Sequence, residues 1–85
     1  MMVLEKQVVQ VILQALAPWS AQPLTEASRF GEDIVLDSVQ LMELLMTLED
    51  HFDITIPMNA VGDVVTVGDL CDLLARILTA RGQDR

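Results

Sequence analysis

The chain has 85 residues, 52% of them hydrophobic, and its 13 acidic against 5 basic residues give a formal charge of −8 at pH 7. At that length only about 60% of the unfolded chain's surface can be buried, so one small compact domain with no room for a deep catalytic cleft is expected. The acidic balance argues against nucleic acid or anionic lipid as partners and favours proteins with a basic surface, and no run approaches the roughly 18 to 20 apolar residues of a membrane-spanning helix.

The first ten residues, "MMVLEKQVVQ", lack the basic start and unbroken apolar stretch of a secretory signal, and the single cysteine, Cys71, cannot build a disulfide framework. A soluble, cytoplasmic monomer is the expectation. From Val3 to Ala17 the apolar residues Leu4, Val8, Val11, Ile12, Ala15 and Leu16 recur at three- and four-residue steps, which predicts an amphipathic helix ended by Pro18. The following stretch, "PWSAQPLTEASRFGEDIVL", is rich in Pro, Ser, Gly and Asp and shows no sustained period, so it reads as a long loop. Structureless segments of about twenty residues are unusual in compact domains. Trp19, Leu24, Phe30, Ile34 and Leu36 supply apolar anchors that would pin this one to the rest.

A second helix is predicted from Ser38 to Phe52, and "ITIP" after it is a connector closed by Pro57, with a strand as the weaker reading. Residues 59–64 suit one helical turn. Thr66 with Asp69 three residues on has the form of a capping box and opens a last helix, whose apolar stripe is Val67, Leu70, Cys71, Leu74, Ile77 and Leu78. Gly82 stands where a helix stop is expected, leaving "GQDR" as a frayed tail. The fold class is therefore all-α: a small four-helix bundle of three longer helices and a short third one, with a long loop between the first two and a core over about residues 3–80.

Ser38 sits at the mouth of the second helix, where serines commonly serve as caps. A capping box counted from Asp37 reaches Gln40, whereas one counted from Ser38 reaches Leu41. Asp37 is the better cap. Ser38 then takes the first helical position with its hydroxyl uncommitted, at a helix N-terminus that favours an attached anion by roughly 0.3 to 1 kcal/mol. Two readings stay open on these residues alone: a serine that merely starts a helix, and a serine that is phosphorylated or linked through a phosphodiester.

The helix itself adds a second signal. Leu41, Leu44, Leu45, Leu48 and Phe52 form one apolar stripe, the core face, while Val39, Met42 and Met46 lie on a separate arc with Glu43, Glu49, Asp50 and Asp53. Methionines in an acidic frame suit a docking surface for several basic partners, because the thioether chain adapts its shape while charge steers the encounter. The competing reading is that another element of the fold covers this arc. Elsewhere, Cys71 falls in an apolar stripe and reads as a small core residue, and His51 has no serine or cysteine partner at triad spacing and reads as a surface residue. No calcium loop pattern is present, so no metal is expected.

With these residues in place, "LDSVQLMELLMTLEDHFDITIP" followed by "VVTVGDLCDLL" resembles the acyl carrier proteins, including their aminoacyl and peptidyl relatives, over roughly residues 3–78. The resemblance implies a single non-catalytic carrier domain in which Ser38 bears 4′-phosphopantetheine in phosphodiester linkage, installed by a separate phosphopantetheinyl transferase. It further implies a thioester cargo on the distal thiol, an acyl- or aminoacyl-loading ligase, and downstream enzymes of fatty acid, polyketide or related specialised biosynthesis that dock through basic surfaces. A reactive thiol on the prosthetic group also explains why no catalytic cysteine is needed. Val39 and Gln40 stand where the family usually has Leu and often an acid, Met58 follows Pro57 where an acid is common in fatty-acid carriers, and His51 interrupts an acidic run. These departures leave a specialised carrier open. An acidic helical adaptor that never receives a prosthetic group is the competing function, and a small hydrolase is the weakest, since neither His51 nor Cys71 sits in a catalytic constellation.

Overall fold

The computed structural model describes residues 2–20 and 22–83, with side chains from Lys6 to Ala80. Four helices follow the chain: α1 (Met2–Leu16), α2 (Ser38–Phe52), α3 (Met58–Val61) and α4 (Val67–Gln83). The all-α expectation holds. Helix α1 ends at Leu16 because Pro18 lacks an amide hydrogen and restricts the residue before it, and the chain tightens into a 3-10 turn over Ala17–Trp19. Of the predicted α1 stripe, Val8, Ile12 and Leu16 are fully buried and Val11 and Ala15 half-buried, while the side chain of Leu4 lies outside the described residues.

Helix α1 packs against both α4 and α2, most extensively α4. Between them lie Leu44, Leu45 and Leu48 of α2, Ile56 of the connector, and Val67, Leu70, Cys71, Leu73 and Leu74 of α4. Each such Leu, Ile or Val contributes about 1.5 to 3 kcal/mol on leaving water. Helix α3 differs from expectation in position: it starts at Met58, directly after Pro57, and ends at Val61 rather than running over 59–64. Gly62 and Asp63 turn the chain there, closed by the Val64 amide donating to the Val61 carbonyl at 3.0 Å. The predicted stop at Gly82 also shifts, since α4 runs through Gly82 to Gln83. A glycine lowers helix propensity by about 1 kcal/mol without forbidding the helix, and it terminates one only where a left-handed turn forms. Asp84 and Arg85 of the expected tail lie outside the described residues.

The segment between α1 and α2 carries no α-helix among its described residues and is clamped to the start of α4 by backbone bonds. The amides of Val67 and Gly68 donate to the carbonyls of Ser28 and Glu26 at 2.9 and 2.8 Å, and Phe30 donates to Val65 at 2.9 Å. Gly68 permits this approach, since a Cβ there would stand 3.2 Å from the Glu26 carbonyl oxygen. Ser28 is buried with its hydroxyl accepting from the Thr25 amide, and Gly31, at φ 91°, turns the chain so that Ile34 drops into the core. Trp19, Leu24, Phe30 and Leu36 pack half-buried around it. Among the described residues, no helix is long and apolar enough to cross a membrane.

The capping box of α4 is reciprocal: Asp69 donates its amide to Thr66 Oγ1 at 3.1 Å, and its carboxylate accepts from the Thr66 and Val65 amides at 3.0 Å each. Those two amides, Thr66 first, hold the Asp69 carboxyl below its ordinary value of 3.8. A carboxyl whose value is lowered by folding stabilises the fold in full above its unfolded value and loses that contribution as the pH falls through the lowered one. Acid titration of the melting temperature is therefore expected to show a decline below pH 3.8 that is smaller in Asp69→Asn, which keeps one acceptor and has no charge to lose. Equal declines in both proteins would remove Asp69 as the cause.

Candidate functional site

Helix α2 begins as its sequence predicts. Asp37, in extended backbone at ψ 177°, accepts the Gln40 amide on Oδ1 at 2.7 Å, and the Gln40 side-chain oxygen accepts the Asp37 amide at 3.0 Å. The reciprocal cap spans Ser38 and fixes its backbone. Ser38 is exposed, and its hydroxyl makes no hydrogen bond within the described residues, so capping does not consume it. No acidic residue occupies the first turn. An anion attached at Ser38 would meet the positive end of the helix dipole, with the Asp37 carboxylate on the preceding residue engaged by the Gln40 amide.

Beside this start lies a pocket of about 150 Å³ lined by Phe30, Gly31, Ile34, Leu36, Leu41, Leu45, Val61, Val64 and Leu70. Leu36 and Leu41 flank Ser38 by two and three residues, so the pocket wall is continuous with the serine's own backbone. No charged side chain lines it. Sequence reading marks Phe30, Ile34 and Leu36 only as loop anchors and assigns Val61 and Val64 nothing. The i, i+3 spacing of those two valines was the available sign that one face of the short segment is buried.

The second arc of α2 is solvent-facing. Val39, Met42 and Met46 are 63, 55 and 58% exposed while Leu44 and Leu48 on the opposite stripe are fully buried, so no described element covers the arc. Glu43 and Asp50 are exposed beside it, and α2 contains no Lys or Arg to offset them. Glu49 departs from the rest of the predicted set: it is half-buried, and its carboxylate accepts the Ile56 amide at 2.8 Å, anchoring the connector to the helix. Asp53 is exposed at the C-cap in left-handed backbone, φ 55°, where its amide donates to the Glu49 carbonyl. His51 is exposed with its ring edge-on to Phe52, centroids 4.8 Å apart. Met58, which the sequence marks as a departure from the family pattern, is exposed as well, and two further exposed apolar residues, Val35 and Val65, carry no role in the sequence reading.

Cys71 is buried in α4, as its stripe predicts, and burial pushes its thiol up to about 12, with Glu26 and Asp72 adding to the effect. Thiolate is the reactive species, so alkylation of the native protein at pH 8 is expected to be slow and to become fast in denaturant. Rapid labelling under native conditions would refute the buried assignment.

With this geometry in view, the family profile described as "Phosphopantetheine attachment site" matches residues 7–74 of the chain. The chain is 36% identical over 76 residues to "Acyl carrier protein" of Sulfurovum sp. (strain NBC37-1), covering 89% of this chain and all of that protein. It is 44% identical over 52 residues to "Probable acyl carrier protein" of Caulobacter vibrioides, covering 61% of this chain and 60% of the other. It is also 31% identical over 75 residues to "Acyl carrier protein 1, chloroplastic" of Hordeum vulgare, covering 88% of this chain and half of the barley protein. The matches thus span the full length of one relative and about half to three-fifths of the other two.

Proposed function

The chain belongs to the acyl carrier protein family, whose 4′-phosphopantetheine is covalently attached, and we propose that Ser38 holds that group here and that the carried cargo is a short aliphatic acyl chain. The observation that carries the assignment is the division of labour at the start of α2, where Asp37 and Gln40 cap the helix and leave the Ser38 hydroxyl exposed and uncommitted. When bound, the group supplies a terminal thiol on which the cargo rides as a thioester. The residues around Ser38 fit an attached phosphodiester, since the first turn holds no acid and offers helix amides to the anion.

This chain's residues also say what they do not supply. The Ser38 hydroxyl has no hydrogen-bonded acceptor for its proton among the described residues, and His51 stands thirteen residues along the same helix, roughly 20 Å away at 1.5 Å per residue. The base that takes the proton therefore comes from the modifying transferase, and the chain is substrate and carrier rather than enzyme. Its docking arc of Val39, Met42 and Met46 beside Glu43 and Asp50 suits a transferase, a loading ligase and later enzymes with basic surfaces. A cytoplasmic setting accords with a single buried, unpaired cysteine. Val39, Gln40 and Met58 favour a specialised pathway over housekeeping fatty acid synthesis.

The nature of the cargo follows from the pocket. A wall without charged side chains would leave the ammonium of an aminoacyl group buried and unpaired, whereas an aliphatic chain gains from the same wall. A cavity of about this volume lined by Leu, Ile and Phe accommodates benzene, which sets the capacity at roughly six carbons. Melting temperature is expected to rise from butyryl to hexanoyl cargo, to level off through octanoyl and dodecanoyl, and not to rise with alanyl cargo. A continued rise to dodecanoyl, or an equal gain with alanyl, would reject the short-chain assignment.

A further inference from the structure

We propose that Leu45 sets the length of the chain this protein carries, by closing the floor of the pocket beside Ser38. The inference rests on the reading of that pocket as the cargo site. Burial divides its lining in two. Leu41, Val61 and Val64 are half-buried and form part of the rim, whereas Ile34, Leu45 and Leu70 are only 1, 4 and 2% exposed and form the floor. Helix geometry ties one residue of each kind to the attachment serine. Ser38, Leu41 and Leu45 stand at i, i+3 and i+7, so they share one face of α2 in the order serine, rim, floor. At 1.5 Å per residue the floor lies roughly 10 Å along the axis from Ser38. Leu48, one turn further on the same stripe, is fully buried yet is not part of the pocket wall. The cavity therefore ends at Leu45 on this side.

The other two floor residues are tied to Ser38 less directly. Ile34 hangs from the loop, held by backbone bonds to Arg29 and Gly31, and Leu70 comes from α4 across the bundle. Leu45 alone of the three belongs to the helix that Ser38 begins. The distance between the attachment point and this stop is thus fixed by the hydrogen bonds of one helix, whatever the loop and α4 do. The size of the side chain at 45 then decides how much apolar chain fits between rim and floor. A leucine that served the core alone would affect stability without choosing a cargo length.

The test loads butyryl-, hexanoyl-, octanoyl- and decanoyl-phosphopantetheine onto the protein from the corresponding acyl-coenzyme A with a phosphopantetheinyl transferase. It reads the gain in melting temperature of each acylated form over the form that bears phosphopantetheine alone. In the parent protein the gain is expected to level off at hexanoyl. In Leu45→Ala the level should move out to about eight or nine carbons, since the truncation opens room for about three methylenes. Leu45→Phe should pull it in below hexanoyl, and because phenylalanine keeps the site filled, this arm stands even where the alanine variant unfolds. Leu48→Ala removes the same atoms one turn deeper and controls for general loosening of the core: melting should fall while the gain still levels off at hexanoyl. A level that stays at hexanoyl in both Leu45 variants, or one that moves as far in Leu48→Ala as in Leu45→Ala, would overturn the inference. The parent protein keeps it apart from the reading beneath it. A parent gain that climbs on to decanoyl removes the short-chain pocket and this inference together, whereas a parent that levels off at hexanoyl beside unmoved Leu45 variants loses only the inference.

Discussion

Ser38→Ala is expected to abolish the gain of one phosphopantetheine on incubation with a phosphopantetheinyl transferase and coenzyme A, while changing the stability of the apo protein by no more than about 0.5 kcal/mol. The second half of the expectation is as informative as the first. Were Ser38 the cap of α2, its loss would cost about 1 kcal/mol, the ordinary penalty for removing an N-cap side chain. The cap is instead the pair of bonds between Asp37 and Gln40, at 2.7 and 3.0 Å, and alanine at the first helical position disturbs neither. Asp37→Ala is the counterpart: it should destabilise the apo protein by about that 1 kcal/mol and leave the hydroxyl in place to be modified, at a reduced rate, from a frayed first turn. If Ser38→Ala still gains the mass, the attachment site lies elsewhere. If the parent protein gains none, the unmodified adaptor becomes the better account of the acidic, methionine-bearing face.

How much of this was legible beforehand depended on whether the signal was local. The cap of α2 is written in four consecutive residues, Asp37 to Gln40, and the core stripe of α2 in the spacing of Leu44, Leu45 and Leu48, so both are readable from the chain. The clamp that orders the long loop is not. It consists of backbone bonds between Glu26, Ser28 and Phe30 on one side and Val65, Val67 and Gly68 on the other, groups that every residue carries and that lie 35 to 42 positions apart. Glu49 shows the same limit at shorter range. Its place on the helical wheel assigns it to the acidic rim, but its carboxylate turns back to the Ile56 amide seven residues on, a contact that depends on how the connector folds under the helix. The pocket was illegible for a related reason: its wall draws on the loop, α2, the α3 region and α4 at once, and no single period records that convergence.

The outward arc of α2 gives the other large expected effect, because the same truncation should cost different things on the two sides of one helix. Leu44→Ala, on the fully buried stripe, is expected to destabilise the apo protein by roughly 2 to 5 kcal/mol through lost transfer energy and the cavity left behind. Met46, two residues on and 58% exposed, should lose no more than about 0.5 kcal/mol when cut to alanine. Its cost should appear instead in the complex, on the order of 1 to 2 kcal/mol of transferase binding if the side chain fills a partner's pocket. The acids beside it act differently, since exposed charges steer association more than they hold a complex together. Glu43→Lys and Asp50→Lys should therefore slow modification and flatten its dependence on ionic strength, with melting unchanged, because both residues are exposed on a helix without a compensating Lys or Arg. Thermal melts of the apo variants set beside initial rates of modification distinguish the cases. A stability loss in Met46→Ala comparable to that of Leu44→Ala would make the arc part of the core, and unchanged rates in both charge reversals would leave it without a basic partner.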